Sequence, residues 1–559
     1  MSEQLGETLD RLRAVDTAER IGRGKKASDE RIAEEFAASG AAFVACGGNT
    51  SALETTYYTA MRTLLDCIVP NREGKPILQE GGVYHGCWLE STGTINVELL
   101  SRFLPSVAQA TFEQFADLQR TDGLIPYKIT ADGAVFKQIQ LVTPPARSVW
   151  THAELHGGDE RFLRKMYQAL SRYDDWLATY RNTRGTGCVE AFCAFDTGHD
   201  LSPRFWHTPD TPYGNDPARC DPQSPLLPFL APDLTASVYC SRKYLARMAR
   251  SLGDDAAAAA WEAKAEQSSR CLIEHCFDET DGFFYDVDRH GRFVRIQSDV
   301  LLRVLASEVG DDAFFASSLR RYVLNTRKFF AKYPFASIAM DDPRFDPHST
   351  YNSWAGPSNF LTLLRAPRAF ELHGRHVELT WATQSIVSAV SRMTRFGQTL
   401  SPWTGEEGFT EAYSPAAICA LDYVERLSGV LPTPEGELWF TALLPNAADH
   451  GAVLAESVGY RRDVDGSRFE FVHGASGGEI YRDGALLYRV PAGVRVVTDR
   501  AGELRSIVGM GVAPAEGSFE HGGTTYPIRV EGNETLRFDR DARAFASEGG
   551  PGVVPPGWE

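Results

Sequence analysis

No apolar run in this 559-residue chain approaches membrane-spanning length, and Met1 to Arg23 is polar and charged, without the apolar stretch of a leader. From these absences a cytoplasmic protein, off the membrane, is expected. Basic residues are in deficit, with 57 Lys and Arg against 74 Asp and Glu and a net charge of −17. Nucleic acid and anionic membrane both call for a basic face, so neither is expected as the main partner. The ten cysteines form no CxxC pair and no His pairing at zinc spacing. Most sit in apolar runs, such as Cys240 in Ser-Val-Tyr-Cys, and read as free buried thiols of a reducing compartment. A Walker GxxxxGK[ST] loop and a Rossmann glycine fingerprint are also missing. No cofactor and no metal are expected.

What is present is an alternation of helical periodicity with long loops. Residues 1–54 read as an N-terminal helical extension, in which Asp29 to Val44 carries an apolar face of Ile32, Phe36 and Phe43. From 55 to 430 about a dozen helices come in pairs, among them Glu160–Tyr180, Asp255–Cys276 and 414–428, with long loops at alternate junctions. Loops of that length in a compact domain usually bind or catalyse. Helical hairpins set around an axis give a mainly α fold, an (α/α)6 barrel. Past Leu431-Pro432-Thr433-Pro434 the apolar pattern changes to period two, with Gly and Asp turns, and predicts a β-sandwich-like domain over 431–547. The Gly/Pro-rich tail, 548–559, is expected to be loose.

The chemistry-bearing stretch is Phe195-Asp196-Thr197-Gly198-His199-Asp200-Leu201-Ser202-Pro203-Arg204-Phe205-Trp206. Acid, cation and aromatic platform together suit a sugar. Glycosidic cleavage needs a carboxylic acid on the leaving oxygen and a second carboxylate to attack or to activate water. Other loops supply acids (Glu90, Asp122, Asp341, Asp342, Glu406, Glu407, Glu411) and stacking aromatics (Tyr84, Trp88, Tyr127, Tyr351, Trp354, Trp403, Tyr413). Taken singly, each has an ordinary account as a solvated loop acid or a rim aromatic.

Asp196 through Arg204 resembles the acid motif of the trehalase, processing α-glucosidase and mannosylglycerate hydrolase group of inverting glycoside hydrolases. Further segments match in the same order: Gly81-Gly82-Val83-Tyr84 through Trp88-Leu89-Glu90-Ser91, Asp122-Gly123-Leu124-Ile125-Pro126, Phe277–Asp288, and Tyr351-Asn352-Ser353-Trp354-Ala355-Gly356-Pro357. The resemblance spans about residues 55–430. It implies an inverting, exo-acting α-glycosidase, α-glucosidase-like, on small glycosides or oligosaccharides, with Asp200 as general acid. Glu411, in Thr410-Glu411-Ala412-Tyr413-Ser414-Pro415, is expected as the base. In a second register, set by Ser401-Pro402-Trp403-Thr404-Gly405, the base position falls near Gln398, which cannot take a proton, and Glu407 or Glu406 would substitute. The implied substrate-binding set is Tyr84, Trp88, Glu90, Tyr127, Asp196, Arg204, Trp354, Trp403, Glu407 and Tyr413. Trp-Leu-Glu-Ser replaces the group's Trp-Asp-Ser, and Trp354-Ala355-Gly356-Pro357 lacks its cation. A phosphorylase or transferase on the same barrel, and a non-catalytic sugar-binding homologue, stay open, as does homo-oligomerisation.

Overall fold

A computed structural model describes residues 3–22, 27–47, 50–209, 213–348, 351, 354–446 and 453–558. Asn352 and Ser353 of the Tyr351–Pro357 motif and residues 23–26 of the N-terminal segment lie outside these.

Three short helices open the chain, α1 (Glu3–Arg13), α2 (Thr17–Ile21) and α3 (Ala27–Ala38), followed by strand β1 (Ala42–Cys46). The helix expected through Val44 therefore stops at Ala38. Gly40 turns the chain at φ +70, where an added Cβ would lie 2.4 Å from Asp463. Ala-Phe-Val-Ala-Cys then runs extended, Phe43 opposite Tyr460. Instead of a separate helical extension, this segment supplies an edge strand to the C-terminal sheet.

Among the described residues twelve further α-helices make the helical body: α4 (Thr50–Asp66), α5 (Asn96–Leu100), α6 (Pro105–Asp117), α7 (Pro145–Leu155), α8 (Glu160–Tyr180), α9 (Pro232–Ser251), α10 (Asp255–Cys276), α11 (Val300–Ala306), α12 (Asp312–Ser318), α13 (Phe360–Leu372), α14 (His376–Val390) and α15 (Ser414–Ser428). Their starts are written locally. Asp159 caps α8 by accepting from Arg161 N, and Asp254 caps α10 by accepting from Ala257 N. Proline occupies the first turn of α6, α7, α9 and α15, where its missing N–H costs nothing. On α8, Phe162, Leu163, Met166, Leu170, Tyr173 and Leu177 recur at helical spacing and are all buried. Each such side chain is worth about 1.5–3 kcal/mol, enough to offset the ordering of its own backbone at about 1–2 kcal/mol.

Six helices touch in a closed cycle: α5 meets α7, α7 meets α9, α9 meets α11, α11 meets α13, α13 meets α15, and α15 returns to α5. The others back them, α4 on α15, α6 on α5, α8 on α7 and α9, α10 on α9, and α14 on α13 and α15. Phe315 of α12 packs edge-on against Phe370 of α13.

The C-terminal region is antiparallel β. Its strands are β2 (Val430–Pro432), β3 (Glu437–Thr441), β4 (Ser457–Val464), β5 (Ser467–Gly474), β6 (Gly477–Arg482), β7 (Ala485–Val490), β8 (Val494–Asp499), β9 (Leu504–Gly509), β10 (Ala515–His521), β11 (Thr524–Val530), β12 (Thr535–Asp539) and β13 (Ala544–Gly549). One sheet has the order β1-β4-β5-β6-β7-β10-β11 and the other β2-β3-β8-β9-β12-β13. Phe440 of the second sheet packs on Phe469 and Phe471 of the first. A buried ion cluster joins this region to the helices: Arg102 pairs with Asp422 at 2.5 Å and Glu425 at 3.2 Å, and Arg462 reaches Glu425 at 3.3 Å.

The tail is docked, contrary to expectation. Val554 N donates to Glu378 at 2.8 Å, Arg375 holds the Gly552 carbonyl at 2.9 Å, and Thr326 N donates to the Gly557 carbonyl at 2.7 Å. No helix among the described residues is long and apolar enough to cross a membrane.

Candidate active site

The loops that lead into α5, α7, α9, α13 and α15 enclose a cavity of about 250 Å³. Glu80, Tyr84, Trp88, Glu90 and Ser91 come from the first loop, Ile139 and Leu141 from the second, Phe195, Gly198 and Asp200 from the third, Leu361 from the first turn of α13 itself, and Gln398 from the last loop. All of these loops sit at the N-terminal ends of the helices they precede.

Asp200 lies half-buried on this cavity. Its loop is pinned from below by Asp196, which does not face the cavity. Asp196 Oδ1 accepts from Gln140 N at 2.8 Å, and Oδ2 accepts from Phe192 N at 2.6 Å and Arg181 Nη1 at 2.8 Å. Its expected contact with a sugar is replaced by a loop-anchoring role. Gly198 turns at φ +76 with Glu90 directly beneath it, so that a Cβ there would lie 1.7 Å from Glu90 Oε2.

The expected contact of Arg204 also fails. It is buried, forks onto Asp286 at 2.7 and 2.8 Å, and reaches Asp233 at 3.0 Å. Its Nη1 lies 2.6 Å from His199 Nδ1. Because the guanidinium can only donate, Nδ1 is the acceptor and the neutral ring carries its proton on Nε2, 3.6 Å from Asp299 Oδ1. Burial, then Arg303, Arg204 and Arg365, hold the His199 pKa well below its usual value. Burial pushes Asp299 up to about 6. Trp354 lies behind the site, its ring tilted 33° against His199 at 4.2 Å and under Arg303 at 5.1 Å.

Glu90 does line the cavity, and Arg303 and Arg365 both reach its Oε1 at 2.7 Å. Tyr84 donates to Gln398 Oε1 at 3.0 Å. Trp88 carries Lys128 Nζ 4.1 Å above its ring, with Tyr127 packed behind at 5.8 Å. Tyr127 and Tyr413 therefore support the wall without lining it.

A third carboxyl in the cavity, beside Asp200 and Glu90, is Glu80, which the sequence reading passed over. It is buried and accepts from Ser91 Oγ at 2.6 Å and Tyr413 Oη at 2.8 Å. Burial is the largest influence on its proton; the two hydrogen bonds oppose it, Glu90 and Asp200 add repulsion, and the pKa is pushed up to about 8. Glu411 is exposed on the rim and does not line the cavity, so it does not face Asp200 there. Thr410 and Ala412 on either side of it adopt φ +64 and +48, a tight turn that packs backbone against Gly82 and Gly81. Glu407 is consumed as a cap, accepting from Thr394 N, Arg395 N and Gly397 N at 2.9–3.0 Å. Glu406 and Trp403 are exposed, Trp403 against Phe345. One signal could have found Glu80: it immediately precedes Gly81-Gly82 in a motif already singled out.

A larger cavity of about 460 Å³ lies near the C-terminal ends of the same helices. Arg102 and Arg426 there pair with Asp422 and Arg368 with Glu308, and of the acids that line it Glu98 is held by Arg147 at 3.5 Å and Glu371 by Arg426.

Residues 84–416, more than half of the chain, match the family described as the mannosylglycerate hydrolase MGH1-like glycoside hydrolase domain. The chain belongs to this family. As an MGH1-like glycoside hydrolase it resembles the GH63 mannosylglycerate hydrolase from Thermus thermophilus in complex with Tris, at 18% identity and TM-score 0.56, over 66% of this chain and 99% of that one. The same Thermus enzyme in complex with glucose matches at 19% identity and TM-score 0.53, over 66% and 99%. A sialidase structure matches at 14% identity and TM-score 0.62, over 87% of this chain and 44% of that one. At these identities the likeness is one of fold. The comparison with curated proteins gives no match.

Proposed function

We propose that this glycoside hydrolase is an inverting, exo-acting α-glycosidase whose carboxyl pair is Asp200 and Glu80, carried on an (α/α)6 barrel formed by the closed helix cycle. The observation that carries the reading is that these two carboxyls line one cavity walled by Tyr84 and Trp88. At about 250 Å³ it is smaller than the roughly 300–1,000 Å³ of sites for drug-sized ligands. One sugar ring fits, which supports exo action.

Asp200 protonates the leaving oxygen while water adds to the anomeric carbon and loses its proton to Glu80. A base with pKa near 8 accepts strongly once ionised, and its value lies close to working pH. Ser91 and Tyr413 hold the Glu80 carboxyl in place; Gln398, steadied by Tyr84, is positioned to orient water or a sugar hydroxyl. Glu90, between two arginines, accepts hydrogen bonds from the ring hydroxyls.

The Thermus relative is named a mannosylglycerate hydrolase and its structure holds glucose, so gluco- and manno-configured substrates come first. A panel of α- and β-glycosides followed by NMR tests the reading. Release of the anomer opposite to the bond cleaved is expected, and retention would overturn the mechanism. Gln398 at the resembling group's base position favours one second reading, attack by inorganic phosphate, which needs no base. Product formation that requires phosphate would establish it.

A further inference from the structure

We propose that the mouth of the cavity is a subsite for an apolar aglycone, an alkyl or aryl group, built from Leu201 and Trp206 on one side and Val83, Phe409 and Tyr351 on the other. This rests on Asp200 as proton donor. The donor must touch the leaving oxygen, so the aglycone begins at Asp200 and extends over the residues beside it. Leu201 follows directly, is exposed, and is held outward at φ +61. The Trp206 indole donates to the Leu201 carbonyl at 2.9 Å, which fixes a ring that is 55% exposed.

The opposite side is continuous with the cavity wall. Half-buried Phe409 packs on Tyr84 at 6.4 Å and on Tyr351 at 5.2 Å, and Tyr351 is 64% exposed. Val83, also exposed, donates its backbone N–H to Thr410, beside Phe409. Single exposed apolar side chains are ordinary; a group of them beside one mouth marks a binding surface. Within the cavity Ile139, Leu141, Phe195 and Leu361 continue the apolar lining. The charges nearby are Glu411, exposed on the rim loop, and Lys128, engaged with Trp88. Lys128 makes an anionic aglycone the competing occupant, and Glu411 opposes it.

The test uses methyl to hexyl glycosides of one sugar, with a glyceric acid glycoside as the anionic arm. Kd is measured on Asp200→Asn by calorimetry, and turnover on the unaltered enzyme. Binding should tighten about two- to fourfold per methylene, as burial of a CH2 predicts, and the slope should flatten in Trp206→Ala. A flat series, or preference for the anionic glycoside, would overturn the subsite even if every glycoside is cleaved. A steep binding series without turnover would support the subsite and sink the hydrolytic reading alone. Absence of binding across the whole series would remove both.

Discussion

Tyr413 donates its hydroxyl hydrogen to Glu80 Oε1 at 2.8 Å, joining segments 333 residues apart in the chain. The turn that opens α15 thereby sets the orientation of the carboxyl at the start of the helical body. Ser91 holds the other oxygen, so Glu80 has a fixed direction in a site that strips it of water.

Activity should rise with pH through about 8, because Glu80 takes a proton from water only when ionised. Glu80→Gln should lower kcat by about 10²–10⁴-fold and abolish this limb. Stability should move the opposite way. The folded pKa lies above the unfolded one, so the contribution of Glu80 is fully present below about 4.5 and is lost as pH rises through about 8. A kcat profile paired with denaturation midpoints at each pH checks both signs.

Arg204→Met should act on stability. It leaves Asp286 buried and unpaired and Asp233 with Arg303 alone at 3.4 Å, at a cost of about 3–5 kcal/mol, read as a lowered denaturation midpoint. Arg204→Lys should not restore it, since an ammonium cannot fork onto Asp286.

Gly198→Ala should impair the site from within. The new methyl meets Glu90 Oε2 and sits at φ +76. Displacing Glu90 from Arg303 and Arg365 should raise KM more than tenfold, measured by initial rates on the best glycoside.

Glu411→Gln should leave kcat/KM within about twofold, the usual reach of an exposed substitution. A loss like that of Glu80→Gln would return Glu411 to the mechanism.

The local part of this structure was legible in the sequence. Glu160–Tyr180 and Asp255–Cys276 form as their periodicity and caps predict, and Asp200 and Glu90 do line one cavity. What long-range pairing decides was not legible. Arg204 and Asp196 look like site residues until Asp286 and Arg181, 82 and 15 residues away, consume their charges. Glu80 gains its chemistry from burial and from Tyr413, neither visible locally. Ala42–Cys46 is apolar on every residue, and so short a run does not distinguish helix from strand until β4 pairs with it. The tail looks loose because its partners, Arg375 and Glu378 at the start of α14, lie 177 and 176 residues earlier in the chain.

The central claim is that Asp200 protonates the leaving oxygen, and a leaving-group series on Asp200→Asn tests it most directly. For alkyl glycosides kcat/KM should fall about 10²–10⁴-fold, while nitrophenyl glycosides, which need no proton, should lose far less. Alkyl glycosides cleaved as fast as by the unaltered enzyme, or an equal loss for both leaving groups, would contradict the account.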